Sequence, residues 1–385
     1  MASLQVVVIG GGISGTAAAW ELARRGADVT LLEQGDLASM ASGWTLAGVR
    51  QSGRHPAELP LAQAAVRRWQ HLHDELEADT YYRQKGNLRL ALTEDEVEII
   101  SQVVTDGNAA GIDMTFIPDA AGIREIAPAI SEDVFAASYC PSDGHANPTA
   151  TVHAFARAAV RAGAVIETGC EVTGILTIGG RVTGVATSNG ENHAADVVIV
   201  AAGVYTPVLL QPLGLDLPIR ITHVPVVQTV PVPHELDQVI GVATGHFAGR
   251  QEVSGRYRLT VGSTPWDGTR HTTHSVMPKL EQLVDTVASS VQVLPGLKDV
   301  RIGNVWGGLI DRTPDVLPVI ERSSQVEGLV MAAGFSGHGF CLGPVTGEIL
   351  ADLALTGQTS YPIAPFALDR FAGTGTQAES LQLHG

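Results

Sequence analysis

Near the start of the chain, Val6 to Gly15 reads VVVIGGGISG, an apolar and mostly β-branched run that breaks into glycines and continues as the alanine-rich TAAAWELARRG. Few local patterns restrict a fold so tightly. Leu4 to Ile9 reads as a short buried strand, Ile13 to Arg25 as a helix closed by Gly26, and Asp28 to Glu33 as a second strand. Together they predict one βαβ unit. Within it Gly10, Gly12 and Gly15 form GxGxxG, and Glu33 ends the second strand about 20 residues on, where a ribose-binding acid belongs. Gly10 suits the tight turn, Gly12 leaves the backbone open to a pyrophosphate, and Gly15 allows close packing of helix on strand. The free N–H groups and positive dipole end of the helix complete an anion site. The glycines predict a dinucleotide, with NAD and FAD both open.

The remaining chain predicts a second unit. At 385 residues it exceeds the size one core usually serves, so two domains are expected. Tyr82 to Leu92 reads as a strand, Glu94 to Ala110 as a helix, and Pro148 to Ala162 as a helix opened by Asn147. Glu171 to Ile178 and Arg181 to Thr187 alternate around Gly179 and Gly180 as a β-hairpin. Asp196 to Ala202 has the continuous apolar composition of a fully buried parallel strand. From about Ile219 to Ile320 several strands and one helix, Pro278 to Val291, are expected. Gly328 to Ala333 then reads as a strand, GFSGHGFCLGP as a glycine turn, and Pro344 to Leu355 as a helix with Pro344 in its first position. Strand, glycine turn and helix thus recur at both ends, which predicts one shared sheet. The closing TGTQAESLQLHG reads as a frayed tail.

Composition narrows the partners. A net charge of −16 repels phosphate backbones and anionic lipid, so nucleic acid is not an expected partner. An anionic small molecule can still be caught by a local arginine. Cys140, Cys170 and Cys341 are widely spaced, which suggests neither a disulfide framework nor a metal site and fits a reducing cytoplasm. No signal peptide or transmembrane segment is read from the sequence.

Four stretches carry a resemblance. VVIGGGISGTAAAWELARRGADVTLLEQ, VVIVAAG, TPDVLPVI and AAGFSGHGFCLGPVTGEILADL occur in this order in the D-amino acid oxidase-like flavoenzymes, and nearly the whole chain is similar to them. The nearest likeness is to glycine oxidase, sarcosine oxidase and the β-type subunits of amino-acid and opine dehydrogenases. The resemblance implies an α/β fold: a Rossmann-like FAD-binding domain of three segments (1–82, 145–218, 322–385) and an α+β substrate domain (83–144, 219–321) whose antiparallel sheet covers the flavin. It implies that Gly10, Gly12, Ile13, Ser14, Gly15, Glu33 and Gln34 hold the ADP half. Ser42 would lie near the pyrophosphate, and Val172, Ala202 and Gly203 would contact the dinucleotide. Gly334, Gly337, His338, Gly339 and Phe340 would line the isoalloxazine, with the helix from Pro344 aimed at its pyrimidine side.

Three departures shape the expected chemistry. Gly308 stands where some sarcosine oxidases carry a flavin-linking cysteine, which implies non-covalent FAD. Thr260 stands where a lysine is associated with oxygen activation, which favours a dehydrogenase. Cys341 replaces a substrate-carboxylate lysine, so the carboxylate grip must come from elsewhere. Arg50 and Arg54 are the candidates, since a guanidinium fork grips a carboxylate bidentately; a solvated arginine pair is the plain alternative. Arg50, His223, Tyr257 and His338 are the candidate catalytic side chains, and Cys341 a candidate substrate contact. The leading expectation is oxidation of the C–N bond of a D-, N-alkyl or cyclic amino acid by hydride transfer to flavin N5, the imine then hydrolysing. The alternatives are a 2-hydroxy acid dehydrogenase and an FAD-binding subunit of a larger dehydrogenase. The electron acceptor is left open among oxygen, a quinone and a partner subunit.

Overall fold

The protein is described by a computed structural model covering residues 3–268 and 276–372, so the stretch read as a frayed tail lies outside the described residues. The apolar run at the start forms the strand Gln5–Ile9 at the centre of a six-stranded sheet. It pairs in parallel with Val197–Val200 on one side and Asp28–Glu33 on the other. Val165–Thr168 and Leu329–Ala333 extend the parallel order outwards, and Val319–Arg322 closes one edge antiparallel. Strands from both ends of the chain thus share one sheet. The edge strand begins at Val319, three residues ahead of the boundary expected at 322.

Ile13–Ala23 is buried along its whole length, as its alanine content demands. The helix Gly339–Thr356 crosses it at very short range. A Cβ on Gly343 would lie 2.7 Å from Cγ1 of Ile13, and one on Gly347 would lie 2.6 Å from the Ala17 carbonyl carbon. Only glycine fits at these positions. On the outer side, Glu21 is fully buried and ion-paired to Arg24, Arg25 and Arg68; Arg68 also reaches Glu348 at 3.1 Å and the Pro344 carbonyl at 2.8 Å. One arginine therefore ties Leu59–Trp69 to both crossing helices.

The second large sheet runs in the order Thr264–Pro265, Arg220–Thr229, Tyr257–Val261, Phe247–Gln251, Val239–Val242, Asn87–Ala91, Ala136–Cys140, Thr115–Ile117, with Ile302–Arg312 also paired to Arg220–Thr229. It is antiparallel apart from the pair Val239–Val242 with Asn87–Ala91.

Most element ends differ from expectation by one or two residues, and two differences are larger. The strand expected from Tyr82 is Asn87–Ala91, because Gly86 turns the chain at φ +95° and Arg83 bridges to His145 instead. The helix expected from Pro344 begins at Gly339, with Pro344 inside it. A proline there removes one intrahelical hydrogen bond. Tertiary contacts compensate: the Trp69 indole N–H donates to the Cys341 carbonyl at 2.8 Å, and the Trp69 and Phe340 rings pack at 5.1 Å. This helix is long and apolar enough to cross a bilayer, yet its surface is taken up by the core.

Because Gly347 meets backbone atoms of the facing helix, Gly347→Ala is expected to destabilise the fold by about 1–3 kcal/mol through overpacking. Thermal unfolding measures this, and an unchanged midpoint would contradict the close crossing.

Candidate active site

Two cavities open where the helix N-termini converge. The first, about 180 Å³, is walled by the glycine turn, by Glu33 and Gln34, and by Val172, Ala202 and Gly203. The second, about 330 Å³, runs from Gly12, Ile13 and Ser14 to Gly337, His338, Gly339 and Phe340, roofed by the second sheet. They share Gly12, Ser42, Gly203 and Asp311 as walls and form one elongated cleft.

Each glycine has its own geometry. Gly10 takes φ +116°, and a Cβ there would lie 2.9 Å from the Ala201 carbonyl carbon. Gly12 faces the cleft, with only Ser42 near its missing side chain. The Ser42 hydroxyl accepts from the Ile13 N–H at 3.0 Å, at the helix N-terminus. Glu33 accepts from the N–H groups of Gly11 (2.6 Å) and Gly35 (2.8 Å), which hold its carboxylate at the end of the first cavity. Gly15 and Gly334 do not line the cleft. Gly15 packs on Gly10, as its expected helix–strand role requires, and Gly334 takes φ +71° and donates to Asp311 at 2.7 Å.

The loop over the shared wall is clamped from the second sheet. Arg258 donates to the Thr45 carbonyl at 2.6 Å, Arg250 to the Leu46 carbonyl, and the Trp306 indole to the Trp44 carbonyl at 3.1 Å. Trp44, Thr45 and Leu46 line the larger cavity, so these bonds set its shape. Asp311 is buried at the junction of the cavities, and burial pushes its carboxyl up to about 6.

At the far end Arg50, Arg54 and Arg89 line one wall. Arg50 is 7% exposed, and its guanidinium donates to the Ser52 carbonyl at 2.6 Å. Arg54 lies 3.5 Å from Glu58. Burial and the neighbouring guanidiniums push Arg50 well below the usual arginine range and bring Arg89 down to about 10. Two buried acids face this cluster. Asp143 accepts from the Ser52 hydroxyl at 2.5 Å and the Gln51 N–H at 2.8 Å, and Glu58 contacts His338 Nδ1 at 3.0 Å. Although burial opposes ionisation, His338, Arg54 and Arg50 bring the Glu58 carboxyl down to about 2. Burial, reinforced by Arg54, lowers His338 to about 4 despite Glu58. At neutral pH the carboxylate can only accept, so Nδ1 carries the imidazole proton and Nε2 is unprotonated.

The family described as FAD dependent oxidoreductase matches residues 5–353. The chain belongs to it. This FAD dependent oxidoreductase is 30% identical to sarcosine oxidase subunit beta of Arthrobacter sp over 381 residues, covering 96% of this chain and 91% of that one. It is 28% identical to glycine oxidase of Geobacillus kaustophilus (strain HTA426), covering 96% and 97%. Among solved structures it matches L-proline dehydrogenase from P. horikoshii with a TM-score of 0.88 at 29% identity, covering 96% and 98%. The residues present fit FAD: a cleft that is side-chain-free at Gly12, bounded by Glu33 and reached by two helix N-termini, suits a diphosphate with a flat ring beyond it.

Several expected residues fall elsewhere. Tyr257 is fully buried, its hydroxyl donating to Glu235 at 3.0 Å within the core of the second sheet. His223 does not line the cleft, whereas Val224 and Val226 do; its ring stacks on Trp266 at 5.5 Å and contacts Gln282. Cys341 sits behind the wall, its sulfur accepting from the Arg50 N–H at 3.3 Å, because its position inside the helix turns it to the core. Sequence reasoning missed Arg89, Glu58, Asp143 and Asp311. Arg89 had a signal, a charge between two leucines inside the NLRLA strand.

The lowered His338 value carries a testable sign. Between its ordinary 6.5 and about 4 the unfolded chain binds a proton that the folded chain does not, so His338 lowers stability as pH falls through that window. Unfolding free energies of wild type and His338→Gln, measured from pH 7 to 4, are expected to converge towards acid. Parallel curves would contradict it.

Proposed function

We propose that the protein oxidises the C–N bond of an amino acid, with FAD held non-covalently and substrate bound between the glycine turn at Gly337–Gly339 and the second sheet. On this reading residues 1–82, 145–218 and 322–385 bind the cofactor and 83–144 and 219–321 the substrate. The observation that carries it is the arginine cluster. Arg50, Arg54 and Arg89 line one end of the cavity, with Glu58 and Asp143 buried beside them. Guanidiniums at that wall suit a substrate carboxylate, which they can hold with charge-assisted hydrogen bonds. The relatives named above support the class, being a glycine oxidase, a sarcosine oxidase subunit and an L-proline dehydrogenase.

Bound FAD supplies the two-electron acceptor; the chain supplies orientation and charge. The same guanidiniums disfavour a second cation, so they lower the pKa of the substrate ammonium and favour the neutral amine whose lone pair assists oxidation. Neutral His338 offers Nε2 as an acceptor for an amine N–H, and Glu58 fixes the tautomer. Asp311 anchors the Gly334 N–H and so positions the glycine turn. The Thr260 hydroxyl donates to the Pro225 carbonyl at 2.6 Å, and Thr260 lines the larger cavity, so that wall position carries no amine. This supports a dehydrogenase rather than an oxidase.

Anaerobic mixing with a panel of amino and 2-hydroxy acids tests the reading. Bleaching of the flavin by amino acids, with little oxygen uptake in air and turnover with a dye acceptor, is expected. Arg89→Gln is expected to raise the half-saturating concentration at least about tenfold through the lost charged hydrogen bond. Bleaching by hydroxy acids alone would sink the proposal.

A further inference from the structure

The cavity holds a fourth arginine that the reading above leaves unused. Arg312 ends the strand Ile302–Arg312 and lines the larger cavity. The whole end of this strand, from Gly308 through Asp311 to Arg312, lines the cavity. The guanidinium is held in place by hydroxyls: Nε donates to Thr222 Oγ1 at 3.3 Å and Nη2 to Ser263 Oγ at 3.1 Å. Every arginine in an ion pair here has a carboxylate within 4.0 Å, and among the described residues Arg312 has none. Burial alone shifts its titration, and it does so downwards, as expected for a cation whose charge nothing nearby offsets.

Its position gives the ligand a shape. Arg312 lies on the strand paired with Arg220–Thr229, whereas Arg89 lies on Asn87–Ala91, reached across Tyr257–Val261, Phe247–Gln251 and Val239–Val242. The two cations stand at opposite ends of the sheet wall. Between them the wall is apolar, with Val226, Ile240, Phe247 and Val261. A cation pinned by hydroxyls at one end, an arginine cluster at the other and an apolar stretch between suit a molecule with an anionic group at each end and methylenes in the middle.

We propose that Arg312 is a second anion-recognition point, and that the substrate is an amino acid bearing a further acidic group, in its side chain or on its nitrogen. This rests on the amino-acid reading above and names the substrate class for the same site. The α-carboxylate is held at the Arg50, Arg54 and Arg89 end, and the distal carboxylate meets Arg312, displacing water from the guanidinium face left open by Thr222 and Ser263.

The test uses holoenzyme and unreactive ligands, so that binding is read without turnover. Straight-chain dicarboxylates from malonate to adipate and monocarboxylates of equal carbon number are titrated while the flavin absorption is followed. At least one dicarboxylate is expected to bind about tenfold or more tighter than its monocarboxylate counterpart, the advantage of one charged hydrogen-bonding contact. In Arg312→Gln that ratio is expected to fall to near one, and in Arg312→Lys, which keeps the charge but loses the fork, to an intermediate value. The flavin absorption of both variants reports whether the fold is kept. Tight monocarboxylate binding with no dicarboxylate advantage, or an advantage that survives in Arg312→Gln, overturns this inference and leaves the amino-acid reading standing. Failure of every carboxylate to perturb the flavin overturns both.

Discussion

The close crossing of Ile13–Ala23 and Gly339–Thr356 is the constraint on which the rest depends. Gly343 and Gly347 let the second helix press onto Ile13 and Ala17, and that contact aims both N-termini into one cleft. Neither helix could be thickened without moving its first turn, and the first turns carry the N–H groups and dipole ends that make the cleft attract anionic groups. The Glu21–Arg68 network braces the outer side, and Trp69 braces the start of the later helix at Cys341. Chain ends more than 300 residues apart are thereby held as one binding surface.

The chain is strongly acidic, yet the wall of its larger cavity is cationic. Net charge sets long-range repulsion, whereas buried guanidiniums act at contact range in a poorly screened site. Arg50, Arg54 and Arg89 lie together at that wall, with Glu58 and Asp143 buried beside them. Burial, with Arg54 beside it, holds His338 neutral, which makes it an acceptor at neutral pH rather than a second cation.

Much of this was legible because the cofactor half is built from local patterns. VVVIGGGISG specifies its strand, turn and helix within a few residues, and the structure keeps Gly10, Gly12 and Gly15 in separate geometric roles. The wall around Arg50 and His338 is built from contacts distant in sequence. Glu58 meets His338 across 280 positions and Gln51 meets Asp143 across 92, and no spacing rule announces either pair. Tyr257 and His223 are polar groups on strands, yet neither lines the cleft: the Tyr257 hydroxyl donates to Glu235, and His223 Nδ1 faces Gln282. The start of the later helix was misread because a proline usually marks a first turn, and the tertiary support that tolerates Pro344 inside the helix cannot be seen locally.

The most direct test of the central claim, that the two glycine turns and two helix ends form one site for one FAD, is equilibrium binding of FAD to the stripped apoprotein, with ADP as competitor. The expected result is one FAD per chain, competed by ADP and released intact by denaturation. An apoprotein that takes up no FAD, or a flavin whose binding ADP does not affect, would contradict it.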